Sequence, residues 1–180
     1  SITAISLNNE SFINQTPRLN SWKSLNDSAL YNIQNEFFST IDLGIVNANY
    51  KINETIESIS IIKSNDIEKN TQLLKLISDS AFTDNDIKCF HIKLDYTKLF
   101  SFLNYYQKNN FICINNSSLC FFNSKDALNN YILQYKNGNT LSKNKQFMNY
   151  ATNNLLVDCN YLHFENSEEL LKNNLPSLIN

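Results

Sequence analysis

The stretch FICINNSSLCFF, residues 111–122, decides the fold of this 180-residue chain. Two apolar runs, Phe111–Ile114 and Leu119–Phe122, flank the polar residues Asn115–Ser118, and this pattern predicts a tight β-hairpin. Because apolar residues occupy consecutive positions in each run, both faces of the hairpin are apolar. Strands of that kind are buried on both sides, so we expect the hairpin to lie centrally in its sheet and to be covered twice.

Two cysteines stand within this hairpin. If the chain turns at Asn116-Ser117, Cys113 and Cys120 face each other with Cβ atoms about 4.5–5.5 Å apart. A somewhat strained disulfide is then sterically allowed, and an oxidising compartment would favour it. The alternative is two unpaired thiols in the core, since free cysteine is commonly buried.

The rest of the chain predicts strands interspersed with amphipathic helices. Before the hairpin we expect a strand over 2–7, a helix from Ser21 through Ile41 ended by Gly44, a helix over Asp66–Ser78, a half-buried strand over 87–94 and a helix over 96–107. The pattern over 52–62 is ambiguous between helix and strand, and its β-branched isoleucines fit a strand slightly better. After it we expect a helix capped by Ser124 and ended by Gly138, a helix capped by Ser142, a strand over 155–165 and a last helix from 166.

These elements indicate an α+β fold, with a mostly antiparallel sheet and the 111–122 hairpin at its centre. No internal linker or repeat interrupts residues 1–180, so we expect a single domain, which can be one unit of a larger parent protein. The chain has only two glycines and two prolines, so its turns must be built by Asn, Asp and Ser.

Composition excludes several classes of protein. The net charge is −2 and Arg18 is the one arginine, so the sequence offers no basic surface for nucleic acid. No apolar run approaches the ~18 residues that a membrane-spanning helix needs. Two glycines cannot form a glycine-rich phosphate loop, and there is no Gly-x-Ser-x-Gly motif.

Two cysteines and two histidines are the remaining candidates for chemistry. Cys89 and His91 share one face of a predicted strand, and Cys159 and His163 share a face of another. If those strands were neighbours, the four side chains would suit zinc, although their spacing does not match the usual paired arrangement. A Cys89–His91 nucleophile pair is a second hypothesis, with no evident third group to orient the histidine. The alternative is buried cysteines and solvated or hydrogen-bonded histidines.

Part of the chain resembles a family of bacterial exported proteins. The resemblance lies in LCFFNSKDAL (119–128), Tyr131-Ile132, GNTLS (138–142), Phe147 and DCNYL (158–162), with a looser match at 2–7 and Trp22–Leu25. These residues are similar to the DUF3352-type exported and lipoprotein group of unknown function, which includes large Bacteroidetes members. The resemblance implies export to the periplasm or outer membrane, a lipid tether outside these residues and a multi-unit parent protein, and it supplies no catalytic residues.

Two functional hypotheses follow. The first is a non-enzymatic module of an exported or cell-envelope protein that binds or scaffolds another protein, with no cofactor. The second is a small enzyme or metal-binding domain that uses Cys89, His91, Cys159 or His163, and it requires those side chains to converge in one pocket.

Overall fold

The computed structural model describes residues 2–6, 28–52, 55–100, 110–140, 143, 145, 148, 149 and 161–164. Eight described strands form one antiparallel sheet: β1 Ile2–Ser6, β2 Ile41–Ile52, β3 Thr55–Ser64, β4 Ser78–Asp84, β5 Ile87–Ile92, β6 Phe111–Asn115, β7 Ser118–Phe122 and β8 Tyr161–Phe164. Their order across the sheet is β4-β5-β6-β7-β3-β2-β1-β8. The predicted α+β class is confirmed, and the β6–β7 hairpin is central because it holds the third and fourth positions.

Helices cover both faces of this sheet. They are α1 Ser28–Phe38, α2 Ile67–Ile77, a 3₁₀ helix over Leu94–Phe100 and α3 Lys125–Lys136. The first three pack on one side, which we call the α1/α2 face, and α3 packs on the other, the α3 face. The expectation that the hairpin is covered twice is therefore confirmed.

Alternation along β6 and β7 assigns their side chains to the two cores. Ile112 and Phe121 belong to the α1/α2 face, where Phe121 contacts Phe37 and Phe100 with ring centroids 6.1 and 5.0 Å away. Cys113 and Cys120 belong to the α3 face. All of these side chains are buried, so the hairpin is the layer that the two cores share.

Local signals in the sequence set several helix ends and turns, and those at Ser124 and Gly138 are as predicted. The Asp66 side chain accepts from the Lys69 N–H at the start of α2, and Ser124 accepts from the Ala127 N–H at the start of α3. Gly138 follows α3 with φ +70. In the described residues, non-glycine positions with positive φ are all Asn or Asp, the types expected to build the turns of a glycine-poor chain: Asn85, Asp86 and Asn116.

The predicted end of the first long helix is wrong. Helix α1 ends at Phe38, where the Ser39 and Thr40 hydroxyls donate to carbonyls of the last helical turn. Ile41, expected on the helix, opens β2, and Gly44, expected to end the helix, lies inside β2 opposite Ser6. Strand β2 was not predicted, since its apolar residues also fit the helical spacing.

The predicted region between 87 and 107 needs two corrections. Strand β5 ends at Ile92, and Leu94, expected on its buried face, begins the 3₁₀ helix and is 63% exposed. The helix expected over 96–107 is a 3₁₀ helix over Leu94–Phe100 in the described part, with Leu99 buried as predicted.

Other predicted elements lie partly or wholly outside the described residues. The strand expected over 155–165 is described as β8, Tyr161–Phe164. The start of the first helix at 21–27, residues 101–107, most of the helix after Ser142 and the last helix are not among the described residues.

Candidate functional site

Strand β4, at one of the two ends of the described sheet, is the candidate functional site. Residues Asp79–Asp84 are all exposed, and β5 is the one strand that pairs with β4 in the described part of the chain. The strand enters a two-residue turn at Asn85-Asp86, where both residues have positive φ (48 and 65), as a tight hairpin turn requires. Strand β4 therefore has one edge that no described strand covers.

Hydrogen bonding between β5 and β6 shows where the β5 backbone points. The Ile92 N–H donates to the Asn110 carbonyl at 2.8 Å. Hydrogen-bonded and non-hydrogen-bonded pairs alternate along an antiparallel ladder, so Phe90 also bonds towards β6. Cys89 and His91, which lie between these positions, direct their backbone groups towards β4.

The same alternation shows which backbone groups of β4 point away from β5. Phe82 and Ser80 are the partners of Cys89 and His91, so they bond towards β5. Ala81 and Thr83 consequently direct their N–H and C=O groups away from the sheet. The register irregularity at Ser78/Ser80 and the charged residues Asp79 and Asp84 lie at the two ends of β4, and the stretch 80–83 between them contains no charged residue and no Pro, so that stretch can accept another strand.

Aromatic and charged side chains that could contact a partner lie beside this edge on the α3 face. Phe82 is 40% exposed. The His91 ring packs against Phe111 with ring centroids 4.7 Å apart and the planes tilted by 37°, and His91 Nδ1 lies 2.7 Å from Asp79 Oδ1. An approaching strand would therefore meet an exposed ring and an imidazole–carboxylate pair.

An apolar pair lies at the Ser78 end of β4. Leu76 and Leu94 are 67% and 63% exposed. The segments that carry them are joined, because the Lys93 N–H donates to the Ile77 carbonyl at 3.0 Å and Lys93 Nζ donates to the Leu76 carbonyl. These two leucines add apolar surface next to the open edge.

The Asp79–His91 contact predicts a measurable titration. The hydrogen bond to His91 lowers the pKa of Asp79 below its ordinary value of 3.8. We expect the Asp79 pKa, measured by carbon-detected NMR, to rise towards 3.8 in His91→Ala. The stabilisation from this contact is present above 3.8 and is lost as the pH falls through the lowered pKa. Lys88→Ala, on the opposite face of β5, is the control, and an unchanged Asp79 pKa in His91→Ala would contradict the contact.

A row of three thiols crosses the sheet under α3. Cys89 on β5 is paired with Cys113 on β6, and Cys113 is paired with Cys120 on β7. All three are buried and all three are free thiols. The predicted register of Cys113 opposite Cys120 is confirmed, while the structure holds no bond between them and their oxidation stays a prediction.

The surroundings of the three thiols differ. Tyr131 of α3 accepts from Asn115 Nδ2 at 2.9 Å, and its hydroxyl lies 3.5 Å from Cys120 Sγ. A hydrogen bond from the Cys113 thiol raises the pKa of Cys113 and lowers that of Cys120. Burial, with a smaller effect of Asp84, raises the pKa of Cys89 to about 11, so Cys89 is a protonated thiol at neutral pH.

The zinc hypothesis required the strands of His91 and His163 to be neighbours, and they are not. Strand β5 is second in the sheet and β8 is eighth, which puts them about 29 Å apart at the usual strand spacing. Cys159 lies outside the described residues. Among the described residues, no three or more His, Cys, Asp or Glu side chains are placed to hold a metal ion.

The Cys89–His91 nucleophile hypothesis is also not supported by the geometry. The Cys89 thiol donates to the Ile87 carbonyl at 3.6 Å, while the His91 ring contacts Asp79. The orienting carboxylate that the sequence did not reveal is thus present on β4, but the buried thiol is hydrogen-bonded elsewhere. The signal that would have found β4 and Asp79 is the Asn85-Asp86 turn, which requires a strand before it as well as after it.

Comparisons with known proteins identify no relative. No family model matches the sequence, and neither the curated proteins nor the solved structures give a match. Among the described residues, no helix has the length and apolar character to cross a membrane. The class of the protein therefore rests on its fold, an antiparallel α+β sheet covered by helices on both faces.

Proposed function

We propose that this protein is a non-enzymatic binding module that adds an extended segment of a partner protein to the β4 edge. The outward backbone groups of Ala81 and Thr83 carry the proposal, because no described strand pairs with them and both residues are exposed. Strand addition uses such groups for affinity and neighbouring side chains for specificity.

The side chains around β4 support an extended, partly apolar partner. On the α3 face, Phe82 offers an exposed aromatic ring to the added strand, and His91 on the next strand inward lies behind it in contact with Asp79. On the opposite face, Ala81 is small and leaves room for a larger partner side chain. Leu76 and Leu94 extend the apolar surface at one end.

The proposed setting of the module is the cell envelope. The resemblance to exported proteins and lipoproteins supports a module that is held at a membrane by a lipid outside these residues. A protein partner suits the exposed strand edge better than nucleic acid does, because the chain has a net charge of −2 and one arginine.

Removal of a single backbone N–H group, that of Ala81, tests the proposal. Ala81→Pro removes an outward N–H without removing a bond to β5, and Ala81→Ser keeps the N–H as a matched control. Linear peptides selected from a displayed random library on the wild-type chain serve as the probe. We expect them to alternate apolar and polar residues and to bind Ala81→Pro at least about tenfold more weakly, with Ala81→Ser unchanged.

Hydrogen exchange locates the binding. The amides of Ala81 and Thr83 should exchange rapidly in the free chain and slowly with a selected peptide, while those of Ser80 and Phe82 stay protected throughout. Peptides that bind the correctly folded Ala81→Pro variant as tightly as wild type, or that protect a different surface, would refute strand addition at β4.

A further inference from the structure

We infer that oxidation of the buried thiol row joins Cys89 to Cys113, across β5 and β6, and does not join the hairpin partners Cys113 and Cys120. This inference concerns the interior of the sheet and is independent of the function proposed for the β4 edge.

The hydrogen-bond pattern of the sheet distinguishes the two pairs. The bond from the Ile92 N–H to the Asn110 carbonyl makes Cys89 and Cys113 a non-hydrogen-bonded pair. On β7, the Ser64 N–H donates to the Ser117 carbonyl, so alternation turns the backbone of Cys120 towards β6. Cys113 and Cys120 are therefore a hydrogen-bonded pair.

This difference favours Cys89 over Cys120 as the disulfide partner of Cys113. A disulfide needs Cβ atoms about 3.5–4.5 Å apart. Directly opposed residues have Cβ atoms about 4.5–5.5 Å apart, and the closer values belong to non-hydrogen-bonded pairs. The Cys89–Cys113 pair thus requires less displacement of the backbone than the Cys113–Cys120 pair.

The contacts of Cys120 also oppose a disulfide between Cys113 and Cys120. Its sulfur lies 3.5 Å from the Tyr131 hydroxyl, which Asn115 holds by a second hydrogen bond. A bond to Cys113 would draw the sulfur away from this contact. Cys113 lies directly opposite both Cys89 and Cys120, so the χ1 rotamer of Cys113 sets which of the two neighbouring sulfurs it faces.

The oxidant in this step is a low-molecular-weight disulfide such as oxidised glutathione. Local opening of α3 admits the oxidant; a thiol of the row gives up its proton to water, its thiolate attacks the oxidant, and one glutathione thiolate is released, which leaves a mixed disulfide. The second thiolate attacks that bond and releases the second glutathione. Two thiol protons and two electrons leave the protein, one S–S bond forms in it and the S–S bond of the oxidant is broken.

The experiment uses the full chain with Cys159→Ala, so that only the three thiols of the row remain. The folded protein is equilibrated with mixtures of oxidised and reduced glutathione, quenched with acid and unfolded. The remaining thiols are alkylated and counted by mass spectrometry. We expect the parent to lose two thiols and Cys120→Ala to lose two at the same glutathione ratio.

Two further variants separate the pairs. Cys89→Ala should require a glutathione mixture at least about tenfold more oxidising, because only the less favourable pair remains. Cys113→Ala should keep both thiols, since Cys89 and Cys120 are then two strand spacings, about 10 Å, apart. Circular dichroism confirms that each variant is folded.

Three results would overturn the inference. In the first, Cys89→Ala oxidises as readily as the parent while Cys120→Ala keeps both thiols, which assigns the bond to the hairpin. In the second, the parent keeps all three thiols. In the third, the parent takes up glutathione and forms no internal bond.

Discussion

Replacement of Phe121 by alanine is expected to lower the free energy of unfolding by about 3–5 kcal/mol. The Phe121 side chain is fully buried at the centre of the α1/α2 face and contacts the rings of Phe37 and Phe100. Removal of the ring leaves a cavity between β7 and the two helical elements that carry Phe37 and Phe100. These elements cannot both shift to fill the cavity, because each is attached to a different strand end.

Denaturant unfolding followed by circular dichroism measures this loss. Phe82→Ala on the exposed edge is the control of the same chemical type, and we expect it to cost less than about half as much because Phe82 is 40% exposed. Equal costs for the two substitutions would show that the hairpin is not the centre of this core.

Replacement of Leu128 by alanine is expected to destabilise the chain by about 2–5 kcal/mol and to expose the thiol row. Leu128 is fully buried between α3 and the row, in the core that contains Cys113 and Cys120. Loss of its side chain weakens the packing of α3 on the sheet, so local opening of the helix becomes more frequent.

Two measurements check this prediction. Unfolding gives the stability, and the rate at which iodoacetamide modifies Cys120 in the folded chain reports the opening of α3. Leu133→Ala, at a 52% exposed position of the same helix, is the control and should change neither quantity appreciably. A destabilised Leu128→Ala whose Cys120 reacts no faster than in wild type would show that α3 is not the cover of the row.

Both substitutions concern the same hairpin from opposite sides. The two apolar faces of β6 and β7 are the reason that α1, α2 and α3 have surfaces to pack on. The open edge of β4 lies two strands away from this centre. The folded core and the proposed binding edge are therefore separate, so substitutions such as Ala81→Pro can change binding without unfolding the sheet.

Several features of the fold could be predicted from local chemistry. The 111–122 hairpin, its register and its two-sided burial follow from two apolar runs around a short polar turn. The caps at Asp66 and Ser124 and the end of α3 at Gly138 follow from side chains that satisfy helix termini. Each of these depends on residues within a few positions of one another.

Other features could not be read from the sequence. The spacing of apolar residues continues from α1 into β2, so Ile41 fits both a helix and a strand until the sheet supplies partners for its backbone. Strand β4 is mostly polar because it is an edge, and pairing with β5 rather than side-chain burial makes it a strand.

The sequence by itself determined the α+β class from its interspersed strands and helices, and the hairpin determined the central strands and the opposition of Cys113 and Cys120. Only the tertiary structure decided what lies next to them: Cys89 beside Cys113, Asp79 against His91, and His163 on a strand six positions away from β5. The reason is physical. Alternation and turn chemistry act along the chain, whereas the order of strands in a sheet depends on contacts between residues far apart in sequence.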